Sequence, residues 1–214
     1  DVYKRQIQFQ ADGDARERAV EVLSDAAKAL KAADGFDTSD LEQRLEQAES
    51  ALEAGDTGQS IGLAEGVIRV IQIEREAMDS VRRALRQRKK ITERFNHFDD
   101  SKEWMDRFKL VQKAADEREW SHAATLLERL TIDLDALGNE QDEAQTLLDF
   151  VRQEWSILRN QCNASSIPVT DEDMKQTEAA ISIAEERLKG GQVEAALEQL
   201  GKADASMERL RRRV

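Results

Sequence analysis

The chain has 214 residues, a formal net charge of −12 and 36% charged residues, with aromatics at 5% and a single proline, Pro168. Such a composition suits long solvated helices and suits a β-rich core badly. An isoelectric point near 4.8 argues against the whole chain embracing nucleic acid or an anionic membrane.

Taken in chain order, Asp1 to Gln6 reads as a non-native leader. It resembles the adapter remnant that opens many conceptual proteins from metagenomic assemblies. Residues 7–36 hold the tail of a preceding long helix, about Ile7–Ala33. Three units then follow, each a short helix, a tight turn and a long helix. The first, residues 37–98, places its short helix at Thr38–Ala54, its turn at Gly55-Asp56 and its long helix at Thr57–Asn96. The second, residues 99–166, has helices at Ser101–Asp116 and Glu119–Gln161 about Glu117-Arg118. The third, residues 167–214, is incomplete: Asp171–Lys189, then Gly190-Gly191, then a helix from Gln192. Glycine at such turns supplies the left-handed conformation that ends a helix.

The long helices are read from their spacing. Trp120, Ala123, Leu127, Leu130, Leu134, Leu137, Gln141, Ala144, Leu148, Val151, Trp155 and Leu158 alternate three and four apart, and only Gln141 is polar. That alternation lays one narrow stripe along a helix roughly 58 Å long at about 1.5 Å per residue. The stripe gains its stability only when partner helices cover it. Leu137-Gly138-Asn139 is the weak joint, since a glycine followed by asparagine can also read as the end of one helix and the start of another. The unbroken heptad phase favours continuity.

Shifted back by 63 residues, the same stripe falls on Thr57, Ser60, Ala64, Val67, Ile71, Glu74, Met78, Val81, Leu85, Arg88, Thr92 and Phe95, of which seven are apolar. Shifted forward by 73, it falls on Ala196, Leu200, Ala203, Met207 and Leu210. Phe36-Asp37-Thr38-Ser39 also returns as Phe98-Asp99-Asp100-Ser101, and Ser39 to Glu42 has capping-box spacing. Repetition at this period indicates stacked helical units. The expected fold is therefore all-α: an elongated array of antiparallel coiled-coil, three-helix bundles. In architecture this plan resembles spectrin-type rods, with a period far shorter than a spectrin repeat.

No residue set requires a reaction, so the expectation is a chain that is not an enzyme and binds no cofactor or metal. His97 and His122 stand on different elements, and no Glu-x-x-His pair exists for a two-metal bundle site. The single cysteine, Cys162, excludes an intrachain disulfide framework, and a reducing cytoplasm is the expected compartment. No apolar run is long enough for a transmembrane helix, and no signal peptide is visible.

Four features rise above this background. Gly58, Gly62 and Gly66 form a stripe, for which close packing inside its own bundle is expected ahead of a groove for a partner helix. Arg82, Arg83, Arg86, Arg88, Lys89, Lys90 and Arg94 form a basic segment; of these, Arg82, Arg83, Arg86, Lys89, Lys90 and Arg94 are the candidate partner-binding residues. No aromatic platform accompanies them, so acidic neighbours or an acidic protein partner are expected before nucleic acid or lipid. Arg209, Arg211, Arg212 and Arg213 suit the end of a helix dipole. Asn163-Ala164-Ser165 matches a glycosylation acceptor.

The function expected is a non-catalytic scaffold or spacer mediating protein–protein interaction, with pairing between copies left open. The alternatives are a nucleic-acid- or membrane-associated protein acting through residues 82–94, and a regulatory helical arm of a larger enzyme. Replacing Leu130 or Leu148 by Asp puts a charge on the stripe. Each substitution is expected to cost at least about 4 kcal/mol and to lower helicity cooperatively. Circular dichroism melts that match the parent would refute the coiled-coil reading.

Overall fold

The computed structural model describes the backbone of residues 2–214 and the side chains of residues 12–214. The expected leader, residues 1–6, has its first residue and all its side chains outside that range. Among the described residues there are α-helices and no strand: α1 Val2–Lys31, α2 Ser39–Glu53, α3 Thr57–Arg86, α4 Arg88–Glu93, α5 Ser101–Asp116, α6 Trp120–Ala164, α7 Glu172–Lys189 and α8 Val193–Arg211. No helix among the described residues is long and apolar enough to cross a membrane. The chain divides into two compact units. Unit 1 is Asp1–Arg86 with Leu110–Leu127, and unit 2 is Gln87–Lys109 with Glu128–Val214.

Unit 1 is built around a core in which Leu23 and Ala26 of α1, Leu41, Leu45 and Ala48 of α2, and Ala64, Val67 and Ile71 of α3 are buried together. The Arg75 guanidinium donates to the Ala32 carbonyl at 2.6 Å and so ties the end of α1 to α3. Unit 2 has a longer core of the same kind. Ala144, Leu148, Val151, Trp155, Leu158 and Cys162 of α6 meet Met174, Ile181 and Ala184 of α7 and Ala196, Leu200, Ala203 and Met207 of α8. Full burial of a leucine contributes about 1.5–3 kcal/mol, so cores with few large side chains depend on each one. Thr177 and Ser206 are the polar residues inside this core. Their hydroxyls lie 2.8 Å apart; one donates to the other, and the accepting hydroxyl donates its own proton to a carbonyl of its helix, Asp173 for Thr177 or Ala203 for Ser206. Cys162 is a free, fully buried thiol in the last turn of α6. Burial pushes its pKa up.

The buried positions of the short helices correspond. Leu41, Leu45 and Ala48 in α2, Trp104, Phe108 and Val111 in α5, and Thr177, Ile181 and Ala184 in α7 are all buried. Each helix ends in the same turn, with a left-handed residue at Gly55, Arg118 and Gly191 in succession. In each turn the left-handed residue's amide donates to the carbonyl three residues back. The next amide reaches five residues back, from Asp56 to Ala51, Glu119 to Ala114 and Gln192 to Arg187, each at 2.9 Å. This is the Schellman arrangement, which satisfies the last carbonyls of a helix. Arg118 adopts it at φ 62° without the freedom of glycine.

Three local expectations are corrected. The first long helix does not run on from Thr57 to Asn96: α3 ends at Arg86, and a short α4 follows Gln87. The stripe offers Arg88 where an apolar residue is needed, and Arg82, Arg86 and Lys90 set like charges four apart, which weakens a helix. The Ser39–Glu42 capping box does not form either. The Asp37 carboxylate accepts from the Ser39 amide at 3.0 Å and from its hydroxyl at 2.6 Å, while Thr38 donates to Glu42. The Ser39 hydroxyl is the first cause holding the Asp37 carboxyl below its usual value. The glycine stripe of α3, finally, lies away from its core. The buried seam is Ser60, Ala64, Val67 and Ile71, and at about 100° per residue positions 58, 62 and 66 fall nearly opposite. A Cβ at Gly62 or Gly66 would meet nothing within 4 Å.

At Gly138 the helix continues, and α6 extends over 45 residues. Open space surrounds Gly138, where a Cβ would find no neighbour within 4 Å. The Gln141 amide, the one polar member of the stripe, reaches the Leu188 carbonyl at 3.4 Å.

Ser60 carries the one buried side-chain oxygen or nitrogen without a hydrogen-bond partner among the described residues. Alanine stands at Ala123 and Ala196, the corresponding places near the starts of α6 and α8, and both are fully buried. Ser60→Ala is expected to raise the unfolding free energy by about 1 kcal/mol, read as a higher urea midpoint with an unchanged slope. A lower midpoint would mean that the hydroxyl is satisfied.

Candidate functional site

The basic segment is dispersed by its local structure. Arg82, Arg83 and Arg86 belong to α3 and unit 1, whereas Lys89, Lys90 and Arg94 belong to unit 2. The Arg82 guanidinium lies over the Trp120 ring, 5.2 Å from its centroid. Arg83 and Arg86 donate to the carbonyls of Asp79 and Arg82 in their own helix. Arg94 pairs with Asp135 at 2.6 Å, and Lys89 reaches Glu93 at 3.9 Å. Lys90 and Arg88 have no ion pair among the described residues. Among the described residues, Arg94 and Lys89 are the cations of this segment paired with a carboxylate, and Arg82, Arg83, Arg86, Arg88, Lys89 and Lys90 are all exposed.

A better-formed concavity lies in unit 1, beside the turn that opens α6. Gly35 and Phe36 follow α1, and the Gly35 backbone turns at φ 93° against the Met78 sulfur. The Trp120 indole N–H donates to the Gly35 carbonyl at 2.6 Å, and the Ser121 hydroxyl donates to the Glu74 carboxylate. Between these elements is a cleft of about 390 Å³. Phe36, Leu41, Val70 and Trp120 give it apolar walls, and Asp37, Glu74, Arg118 and His122 stand among its polar ones. His122 is exposed there, and His97 packs edge-on against Phe98 with centroids 4.3 Å apart. No group of three or more metal-ligating side chains occurs among the described residues.

The corresponding turn of unit 2 also borders a cleft, of about 400 Å³, lined by Leu137, Glu140 and residues 191–195. There the loop between α4 and α5 meets the turn between α7 and α8. The Asp99 amide donates to the Gly190 carbonyl at 2.9 Å, and the Gln192 amide donates to the Asp99 carboxylate. Gln192 in turn accepts from Arg187 at 2.6 Å. Phe98 lies so close to Gly191 that a Cβ there would come within 2.8 Å of its ring, and one at Gly190 within 2.9 Å of the Asp99 carboxylate. The sequence marked these two loops as the recurrence of Phe36-Asp37 in Phe98-Asp99. The partners Trp120 and Gln192 carry no such mark, because they come from turns far along the chain.

The arginines at the end of α8 bind carboxylates rather than the helix end alone. Arg209 pairs with Asp173 at 2.7 Å, Arg211 with Glu154 at 3.0 Å, and Arg213 with Asp171 at 2.6 Å and Asp173 at 3.2 Å. Asp171 is also the N-cap of α7, accepting from the Asp173 amide. Asn163 and Ser165, of the glycosylation-type triplet, are exposed at the end of α6.

Comparison with protein-family models, with curated proteins and with solved structures finds no match to this chain.

The Arg213 guanidinium, through its hydrogen bond first, holds the Asp171 carboxyl below the usual value of 3.8. A carboxylate with a depressed folded pKa contributes stability that is fully present above its unfolded pKa and lost as pH falls through the folded one. Thermal melts between pH 7 and pH 2 are therefore expected to fall steeply below about pH 4 for the parent. In Asp171→Asn, which keeps a capping side chain, Tm is lower at pH 7 and the fall is shallower. Parallel curves for the two proteins would show that this pair contributes nothing.

Proposed function

We propose that the chain is a non-catalytic helical scaffold or spacer, built of repeated helical units and presenting helix faces to protein partners. The observation that carries this reading is the triple correspondence of short helix and turn. The left-handed positions 55, 118 and 191 stand 63 and 73 residues apart, the same steps that separate the buried sets beginning at Leu41, Trp104 and Thr177. A unit of this kind buries its apolar stripe only against neighbouring helices, so its stability is that of a stacked array. The surface such an array exposes is long relative to its core. Here it includes Ile132, Phe150 and Ile157, each at least 50% exposed. Exposed apolar residues on otherwise charged helices are where partner helices gain affinity.

The test is small-angle scattering of the full chain with in-line mass determination, at low and high salt. The expected result is an elongated monomer whose cross-section matches two to three helices. A compact globule would overturn the spacer reading. A parallel dimer would overturn the monomeric array and assign the stripe to pairing between copies.

A further inference from the structure

The loop between α1 and α2 contains the pair Asp34-Gly35, and the backbone is held on either side of it. The Ala33 amide donates to the Leu30 carbonyl at 3.0 Å, and the Gly35 carbonyl accepts the Trp120 indole N–H at 2.6 Å. Between these two points, neither the Gly35 amide nor the Asp34 carboxylate has a hydrogen-bond partner among the described residues, and Asp34 is exposed. Gly35 turns at φ 93°, and with no Cβ it leaves the approach to its own nitrogen open. A second Asp-Gly pair, Asp12-Gly13, is also exposed but lies inside α1, where amides are committed to the helical ladder. The chain thus carries the same dipeptide in a reactive setting and in a protected one.

We propose that Asp34-Gly35 is a site of self-modification, at which the backbone converts to the β-linked isoaspartyl form and displaces the Trp120 contact. The Gly35 nitrogen attacks Asp34 Cγ and forms a new C–N bond. The hydroxyl of the protonated carboxyl leaves with the amide proton as water, and the product is a succinimide ring. Water then adds to the ring. Cleavage between the Asp34 α-carbonyl carbon and the nitrogen routes the chain through Cγ and frees an α-carboxylate, whereas cleavage at Cγ restores aspartate. Water lost in the first step is regained in the second, so the mass is unchanged and no oxidant or cofactor is consumed. The β-linked main chain is longer by one carbon. Gly35 has little room to absorb that, because a Cβ there would already meet the Met78 sulfur at 3.0 Å, so its carbonyl moves away from the indole.

The test is to incubate the full chain for several weeks at neutral pH, digest it with trypsin and map the peptides by chromatography and mass spectrometry. The two Asp-Gly pairs fall on separate peptides, residues 6–16 and 32–44. Peptide 32–44 is expected to split into two species of equal mass, with electron-transfer fragmentation placing the β-link at Asp34. It should do so at least about tenfold faster than peptide 6–16, whose pair reacts only when the helix opens. Equal rates, or a β-link placed at Asp37 or Asp40, would overturn the proposal. Asp34→Glu keeps the charge but requires a larger ring that closes more slowly, so its 32–44 peptide should stay a single species. A second species persisting in that variant would also overturn it. In the aged parent, the NMR signal of the Trp120 indole proton should divide in proportion to the isomerised fraction. One unshifted signal would show that the contact with Gly35 survives and that the modification displaces nothing.

Discussion

Narrowness of the core is the constraint on which the rest of this structure depends. Each helix presents a stripe little more than one side chain wide, and many of its positions are alanine, as at Ala19, Ala26, Ala48, Ala64, Ala123 and Ala196. A small residue lets neighbouring helices approach, but it contributes little apolar area of its own. The larger side chains, Phe95, Phe108, Leu130, Leu148 and Met207, therefore carry a disproportionate part of the burial. With helical propensity alone too weak to hold short helices, the turns must fix where each helix stops so that these residues meet.

Turn geometry is thus the second determinant of the fold. Gly55 and Gly191 adopt left-handed backbone at no steric cost, whereas Arg118 does so as a non-glycine residue and is held by the same pair of backbone hydrogen bonds. Charge then secures what packing leaves loose. Arg75 on the Ala32 carbonyl closes the end of α1, and Arg213 on Asp171 and Asp173 closes α8 onto the start of α7. Exposed pairs of this sort are worth little singly, but the cluster of Arg209 and Arg213 on two adjacent aspartates combines charge with the cap of α7.

How much of this was legible in the sequence differs by feature. The all-α class, the continuity of α6 through Gly138 and the bounds of α5 follow from periodicity, which reads local spacing directly. The break at Gln87 was missed because the phase of the stripe carries across it. The phase records where side chains point and ignores like-charge repulsion between Arg82, Arg86 and Lys90. The glycine stripe was assigned to the wrong side of α3, although Ser60, Ala64, Val67 and Ile71 already marked the other side as the buried one. At the candidate site, the loops at Phe36 and Phe98 were visible as a recurrence, but Trp120 was read only as part of a stripe. Its hydrogen bond to Gly35 spans 85 residues, a separation that no local pattern encodes.

The placement of the three tryptophans has an optical consequence. Trp104 and Trp155 lie within unit 2 and Trp120 within unit 1, each less than 10% exposed. Trp120 differs in its surroundings, with an indole N–H bonded to a carbonyl and a guanidinium over the ring. Its emission reports on the contact between α6 and the Gly35 loop, while the other two report on the interior of unit 2. With Trp104 and Trp155 changed to Phe, the remaining indole would be a native fluorophore beside the Gly35 loop, and the protein would need no added dye to register the environment of that contact.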